Sequence, residues 1–417
     1  LFANMIQQGE ILPETLVADT PVRYSGYRPK NFNRDFHGAV RARDALASSL
    51  NIPAVQVLEQ LQPEYFAAKL RSAGLKLYGA GAAKPNVSLI LGGVGTQLEH
   101  LVGVYSALAR SGKSIKPRMT ATEDKVERYL LSEGAAWITW KMLALDPLQK
   151  GYQPVLDSRW QLAWKTGTSF GFRDAWAIGT TKDYVVGVWV GNADGEGRPG
   201  LVGVQTAAPI LFDVFDLLPN SDWFAKPFDE MQEVSICKQS GHRASPNCDD
   251  IEEKFIQFSG LKTKPCPYHI LIHVDNNEGF QVNSSCEEIS NINHKSWFVL
   301  PPIMAYYYKT KSPFYKPLPK FRSDCLGENI VSIDFIYPKT NNNIFLPKDF
   351  DGETNDLILK IAHSKPESTV FWYIDNTFIG NTKDIHELAV KPKRGKHIIT
   401  IVDEFGNEVK RKFEVSN

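Results

Sequence analysis

No cysteine occurs before Cys237 in this 417-residue chain, no apolar run reaches membrane-spanning length, and neither sign of charge is in excess. Lys and Arg together number 47 and so do Asp and Glu, so the charge balance calls for neither nucleic acid nor an anionic membrane surface as partner. A membrane-spanning helix needs about 18 or more apolar residues. The best candidates here, such as YVVGVWVGN at Tyr184–Asn192, are of strand length, so this chain is expected to hold no membrane span and no signal peptide. It opens at Leu1 without a methionine, in a helix-like stretch (LFANMIQQG). It is therefore expected to be a piece of a longer protein, with any anchor or export signal lying upstream. Internal repeats and low-complexity tracts are also missing. The length exceeds one ordinary core, which makes two or three domains the expectation.

Three textures follow one another. From Leu1 to about Leu218, amphipathic helices alternate with short apolar strands. Ala39–Leu50 (AVRARDALASSL) and Gln97–Gly112 (QLEHLVGVYSALARSG) carry apolar residues three and four apart, the helical spacing. WQLAWKTGTS, DAWAIGTT and YVVGVWVGN then read as strands, the last two joined by a Thr-Lys-Asp turn. Helices with consecutive hairpin-linked strands predict an α+β fold in which helices surround an antiparallel sheet. Residues 219–327 are rich in Pro, Cys and aromatics and weakly periodic, which predicts a linking segment pinned by its cysteines. Residues 328–417 are dominated by alternating β patterns with turn residues at Asp375-Asn376 and Phe405-Gly406-Asn407, the pattern of a small Ig-like β-sandwich. In it, alternate positions around Trp372 and Tyr373 are expected to be core.

The five cysteines, Cys237, Cys248, Cys266, Cys286 and Cys325, all fall in or beside the middle segment. Such clustering marks a core-poor region held by cross-links or by metal, and the odd number leaves one thiol over. Cys266, His269 and His273 have zinc-like Cys-x2-His-x3-His spacing, with Cys237, His242 and Cys248 nearby in sequence.

Chemistry is suggested by Lys165-Thr166-Gly167-Thr168. On a strand, Lys165 and Gly167 share one face and Thr166 and Thr168 the other. A strand glycine costs stability unless another backbone or a ligand comes close. A cation and two hydroxyls around it suit a peptide ligand ending in a carboxylate, with the Thr168 N–H available to polarise a carbonyl. The alternative for the tripeptide alone is a glycine bulge beside a solvated lysine. Earlier in the chain, Ser49-Leu50-Asn51 precedes Pro53 and is expected at the end of a helix, placing a hydroxyl beside an amide. Ser-x-Asn on a helix end, followed more than a hundred residues later by Lys-Thr-Gly on a strand, matches two of the three motifs of penicillin-binding proteins and serine β-lactamases.

With its surroundings (YRPKNFNRDFHGAVRARDALASSLNIPAVQVLE, LILGGVGTQLEHLVGVYSALARSGK, AWKTGTSFGFRDAWAIG), the chain resembles the transpeptidase domain of class A penicillin-binding proteins, in particular the 1C type. The tail from about Ile330, with GKHIITIVDEFGN, resembles the β-domain that closes that type. The resemblance implies a peptidoglycan cross-linking D,D-transpeptidase that acts on D-alanyl-D-alanine stem peptides through a serine ester, is acylated by β-lactams and requires no cofactor. It would be periplasmic, with a glycosyltransferase domain and an inner-membrane anchor upstream. Lys165 and Thr166 would hold the substrate carboxylate, with Gly167 between them and the neighbouring Thr168. Thr168 would add its hydroxyl and an oxyanion-hole N–H, Ser49 would relay a proton, and Asn51 would bind the acyl side chain's amide. The family's nucleophile motif, Ser-x-x-Lys, does not precede Ser49. The match at Ser259-Gly260-Leu261-Lys262 stands after Lys-Thr-Gly, in the wrong order, and is set aside. The nucleophile is expected upstream of Leu1, and the chain alone is expected to be inactive. Arg173 is expected to pair with Asp174 across a hairpin; Trp164 and Trp176 are expected to pack; His37 and His100 receive no catalytic role. Because the resembled domain works outside the cytoplasm, disulfides are favoured over a metal site, with Cys237–Cys248 closing the shortest loop. A D,D-carboxypeptidase or β-lactamase, and a non-catalytic cell-wall scaffold with a degenerate transpeptidase fold, stay open as alternatives.

Overall fold

The helical spacing of Ala39–Leu50 does not yield one helix running to Pro53. The computed structural model divides the region into α1 (Ala42–Ala47) and α2 (Asn51–Leu61), with Ser48, Ser49 and Leu50 between them. Pro53 is no stop signal here. It lies in the first turn of α2, where main-chain N–H groups have no intrahelical acceptor and proline forfeits nothing. The structure describes residues 1–22, 24, 28–144, 162–325, 333–339, 342–346, 355–375, 377–404 and 407–416. Trp160 and Gln161 of the first expected strand, the boundary at 327/328, and the turn residues Asn376, Phe405 and Gly406 lie outside them.

The chain forms two units. The first comprises Leu1–Val17 and Val40–Cys266, the second Ala18–Ala39 and Pro267–Asn417. The division falls inside the cysteine-bearing segment, between Cys266 and Pro267, so residues 219–327 do not make a linking segment of their own.

In the first unit a helical layer contains α1, α2, α3 (Leu98–Ala109) and α4 (Glu133–Ala144), with a core that includes Leu58, Ala107 and Trp140. Beside it stand three antiparallel strands in the order β1 (Ala163–Thr168), β2 (Asp174–Thr180), β3 (Val185–Gly191). Helix α5 (Gly203–Asp216) packs Leu211 and Phe215 onto one face of this sheet. Two glycines permit the close approach of helices on both faces. A Cβ at Gly179 would lie 2.6 Å from Phe215 on α5, and one at Gly187 would lie 2.5 Å from Val102 on α3. The helix, sheet, helix layering is the α+β architecture that the alternating pattern predicts.

The first unit ends in a β-hairpin, β4 (Met231–Cys237) with β5 (Ile251–Gln257). Its core is small, with Leu12, Ile236 and Ile256 buried. The second unit begins with another hairpin, β6 (His269–Val274) with β7 (Asn293–Phe298), followed by helix α6 (Pro302–Lys311). Two hairpins thus replace the expected irregular segment. Strand β5, IEEKFIQ, is exposed or half-buried until its last two residues and so lacks a continuous apolar alternation.

The rest of the second unit is a sandwich of two sheets. One has three strands in the order β8 (Ile333–Tyr337), β10 (Leu357–His363), β13 (Glu387–Val390). The other has five, in the order β9 (Asn342–Phe345), β15 (Glu408–Ser416), β14 (Gly395–Asp403), β11 (Val370–Ile374), β12 (Thr377–Thr382). The pairing is antiparallel except between β9 and β15, which run parallel. Phe335, Leu359 and Ile361 from one sheet meet Trp372, Ile399, Ile401 and Phe413 from the other, as inward-facing alternate positions require.

Disulfide chemistry differs from the expectation. Cys286 and Cys325 are joined, while Cys237, Cys248 and Cys266 stand outside that disulfide. The expected Cys237–Cys248 bridge is therefore absent, because sequence spacing does not fix connectivity and the Cys237 and Cys248 sulfurs gather with that of Cys266.

Candidate active site

The site is built from one turn and one strand. At the turn, α1 closes with the Ser49 N–H donating to the Leu46 carbonyl (3.2 Å) and the Leu50 N–H to the Ala45 carbonyl (2.9 Å). This is the pairing of a Schellman motif, whose left-handed residue is usually glycine. Here that residue is Ser49, at φ 55°. A left-handed serine costs about 1–2 kcal/mol relative to right-handed backbone, and the side chain it presents is exposed. Asn51, half-buried, is the first residue of α2.

The strand is β1, which borders β2 on one side only among the described residues. The Ser169 N–H donates to the Asp174 carbonyl at 3.0 Å, and Thr168 lies opposite Ala175 and Gly167 opposite Trp176. Antiparallel alternation then directs the main-chain N–H and C=O of Thr166 and Thr168 away from β2, toward the open edge. Trp164 faces α5 and packs on Phe212 with ring centroids 5.0 Å apart, so Thr166 and Thr168 share that face. The Thr168 hydroxyl oxygen accepts from the Gly203 N–H at the start of α5 (3.0 Å), which leaves its proton to donate.

Lys165 and Gly167 occupy the opposite face. Gly167 is no packing hole: a Cβ there would meet Trp176 at 3.6 Å, an ordinary contact. Its bareness therefore serves the open side of the strand. The Lys165 Nζ donates to the Ser49 Oγ (2.6 Å) and to the Thr166 carbonyl (2.7 Å), bringing the Ser-x-Asn and Lys-Thr-Gly motifs into contact across 116 residues. Burial of the ammonium lowers its pKa from 10.5 to about 8, because desolvation disfavours the charged form. The site thus offers one cation close to its titration point, two hydroxyls and outward-facing amides on a free strand edge. That set can bind an extended peptide carboxylate and polarise a neighbouring carbonyl.

Two expected features fall elsewhere. Asp174 does not pair with Arg173; its carboxylate accepts from the Trp189 indole N–H (2.9 Å) and its own N–H donates to the Ser169 hydroxyl (2.8 Å). Ser259 is tied to the helix Phe2–Gln8, its hydroxyl donating to the Ile6 carbonyl (3.2 Å), a structural engagement. The anchoring of Thr168 by Gly203 was not legible in the sequence, although Gly203 carries a signal of its own: a Cβ there would lie 2.4 Å from the Gly167 carbonyl oxygen.

Residues 1–210 match the penicillin binding protein transpeptidase domain and residues 323–413 the Penicillin-Binding Protein C-terminus Family. The chain is 47% identical over 218 residues to penicillin-binding protein 1C of Escherichia coli K12, covering 52% of this chain and 28% of that protein. It is 29% identical over 256 residues to penicillin-binding protein 1A of Aquifex aeolicus, covering 57% of this chain and 34% of that one. It therefore spans no more than about a third of the length of these relatives. Among solved structures, penicillin-binding protein 1A from Haemophilus influenzae aligns with a TM-score of 0.49 at 19% identity, over 64% of this chain and 47% of that one. With its first half matched by the transpeptidase model and its tail by the C-terminal one, the chain belongs to the penicillin-binding protein transpeptidase family.

Proposed function

We propose that this chain supplies the carboxylate-binding and oxyanion wall of a peptidoglycan D,D-transpeptidase in a bifunctional class A penicillin-binding protein of the 1C type. The observation that carries the reading is the Lys165–Ser49 hydrogen bond on the open edge of β1. A stem peptide ending in D-alanyl-D-alanine lies along β1 as an added strand, its terminal carboxylate on Lys165 and Thr166 and the penultimate carbonyl oxygen at the Thr168 N–H. A serine hydroxyl attacks that carbonyl, its proton passes through Ser49 to the leaving amine, and terminal D-alanine departs. The amine of a second stem peptide then displaces the serine, forming the cross-link. Asn51 holds the acyl side chain's amide. A β-lactam follows the first half of this path and stops at the ester.

The attacking serine belongs to a Ser-x-x-Lys motif, which these residues do not contain ahead of Ser49. Covalent acyl transfer needs an activated hydroxyl, so the chain by itself is expected to take up no covalent label from fluorescent penicillin, as read by gel fluorescence and intact mass. An adduct mapped to Ser49 or Ser259 would overturn this assignment. A protein joining this chain to a Ser-x-x-Lys segment is expected to be labelled; failure there would favour the scaffold reading. By likeness to the family, the working compartment is extracytoplasmic, with membrane attachment through another part of the protein; no helix of the described residues is long and apolar enough to cross a membrane.

Ser49 gives a second test. Glycine at its left-handed position relieves backbone strain, so Ser49→Gly is expected to leave the melting temperature unchanged or raised. In the joined protein it is expected to slow acylation about 100- to 10,000-fold, the range of losing one proton-transfer group. A variant as fast as the parent would remove Ser49 from the relay.

A further inference from the structure

The end of the β4–β5 hairpin holds a cluster that the transpeptidase chemistry does not use. Cys237 closes β4, Cys248 lies in the loop before β5, and Cys266 ends the first unit. Cys237 and Cys266 are buried and Cys248 half-buried, and their three sulfurs lie within 4.8 Å of one another. Thiolates around a tetrahedral zinc ion, at Zn–S distances of about 2.3 Å, stand roughly 3.8 Å apart, so the three need only a small inward adjustment.

Each sulfur also accepts a hydrogen bond of the kind that stabilises a metal thiolate. The Ser240 N–H reaches Cys237 (3.4 Å), the Ser240 hydroxyl Cys266 (3.1 Å), and the Ser245 N–H Cys248 (3.3 Å). The first of these bonds depends on a tight turn. The Gly241 N–H donates to the Cys237 carbonyl at 2.7 Å, and Gly241, at φ 66°, is pressed so close to Glu14 that a Cβ would lie 1.7 Å from its carbonyl oxygen. A disulfide could join only two of the three sulfurs and would strand the third beside it. The hairpin's core, Leu12, Ile236 and Ile256, is small enough to need a staple.

We infer that Cys237, Cys248 and Cys266 form a structural zinc site, three thiolates binding one Zn²⁺, that fastens the loop of the β4–β5 hairpin to the chain ending at Cys266. Each thiol releases its proton to solvent on binding. The fourth position of the tetrahedron is left to a nitrogen or oxygen donor. Zinc is chosen over copper or iron because it keeps thiolates without redox change.

The test uses the full chain, purified without added reductant or chelator. Elemental analysis is expected to find about one zinc ion per chain. Intact mass after chelation is expected to show a deficit of two hydrogens, from Cys286–Cys325 alone, with three alkylatable thiols. Replacing zinc with Co²⁺ is expected to give thiolate charge-transfer bands and intense tetrahedral d–d bands in the unsubstituted protein, a readout that does not depend on any variant folding. Cys266→Ser is expected to abolish or shift these bands, and Cys286→Ser/Cys325→Ser to leave them unchanged. A metal-free chain lacking four hydrogens, or cobalt bands unaltered in Cys266→Ser, would overturn the site.

Discussion

Replacing Lys165 by alanine, in a protein joining this chain to a Ser-x-x-Lys segment, is expected to slow β-lactam acylation about 100- to 1,000-fold, the scale for removing one preorganised electrostatic group. The expectation rests on position and on charge. The ammonium is held by Ser49 and the Thr166 carbonyl, so little reorganisation is needed when a carboxylate arrives. Its pKa, lowered by burial from 10.5 to about 8, fixes the sign of the pH dependence. Below about pH 8 Lys165 is a cation and binds the carboxylate; above it the group is neutral and binding weakens. The ligand carboxylate is ionised throughout that interval, so kcat/KM for acylation should fall as pH rises through about 8. Lys165→Arg keeps its charge to high pH and should carry the alkaline limb upward even if its rate is lower. Stopped-flow acylation across pH checks both. An alanine variant as fast as the parent, with the same alkaline limb, would show that Lys165 does not bind the carboxylate.

The second large effect concerns stability. Trp372→Ala is expected to destabilise the sandwich by about 3–5 kcal/mol, the usual loss for a large buried aromatic side chain. Trp372 is 0% exposed, stands opposite Ile401 on β14, and donates its indole N–H to the Thr382 hydroxyl at 2.8 Å. Set against a total domain stability of about 5–15 kcal/mol, that loss leaves little margin. Phe371 and Tyr373, half-buried on the other face of β11, should cost less than half as much when truncated. Thermal unfolding followed by near-ultraviolet circular dichroism distinguishes them. Equal losses at Trp372 and Tyr373 would contradict the two-faced reading of the strand.

What could be read from the sequence follows from how local each signal is. The alternation around Trp372 reports a strand with one buried face, because the side-chain period of a strand is carried by adjacent residues. Lys165, Thr166 and Gly167 stand out for the same reason: they are contiguous. Their meeting with Ser49 is a different kind of fact, since nothing within either motif specifies a contact 116 residues away; it came only through resemblance. The break between α1 and α2 is hidden because proline can end a helix or open one, depending on its place in the turn. The strand β5 carries little apolar signal because its alternation is mostly exposed. The cysteines show the limit most plainly: shortest-loop reasoning chose Cys237 and Cys248, but the chain joins Cys286 to Cys325. The zinc-like spacing at Cys266 marks a cluster, but spacing alone does not specify which sulfurs meet.

The open edge of β1 also bears on solubility. A strand with a free side presents unpaired N–H and C=O groups that can template any other extended chain, including another molecule of the same protein. An edge kept bare to receive a peptide cannot be capped by a helix or a further strand. What guards it is its own chemistry: β1 is six residues long and carries Lys165, so pairing two copies edge to edge would bring two ammonium groups together. The lysine that draws in a carboxylate-bearing peptide therefore also opposes pairing with the same edge of a second copy, through repulsion between like charges.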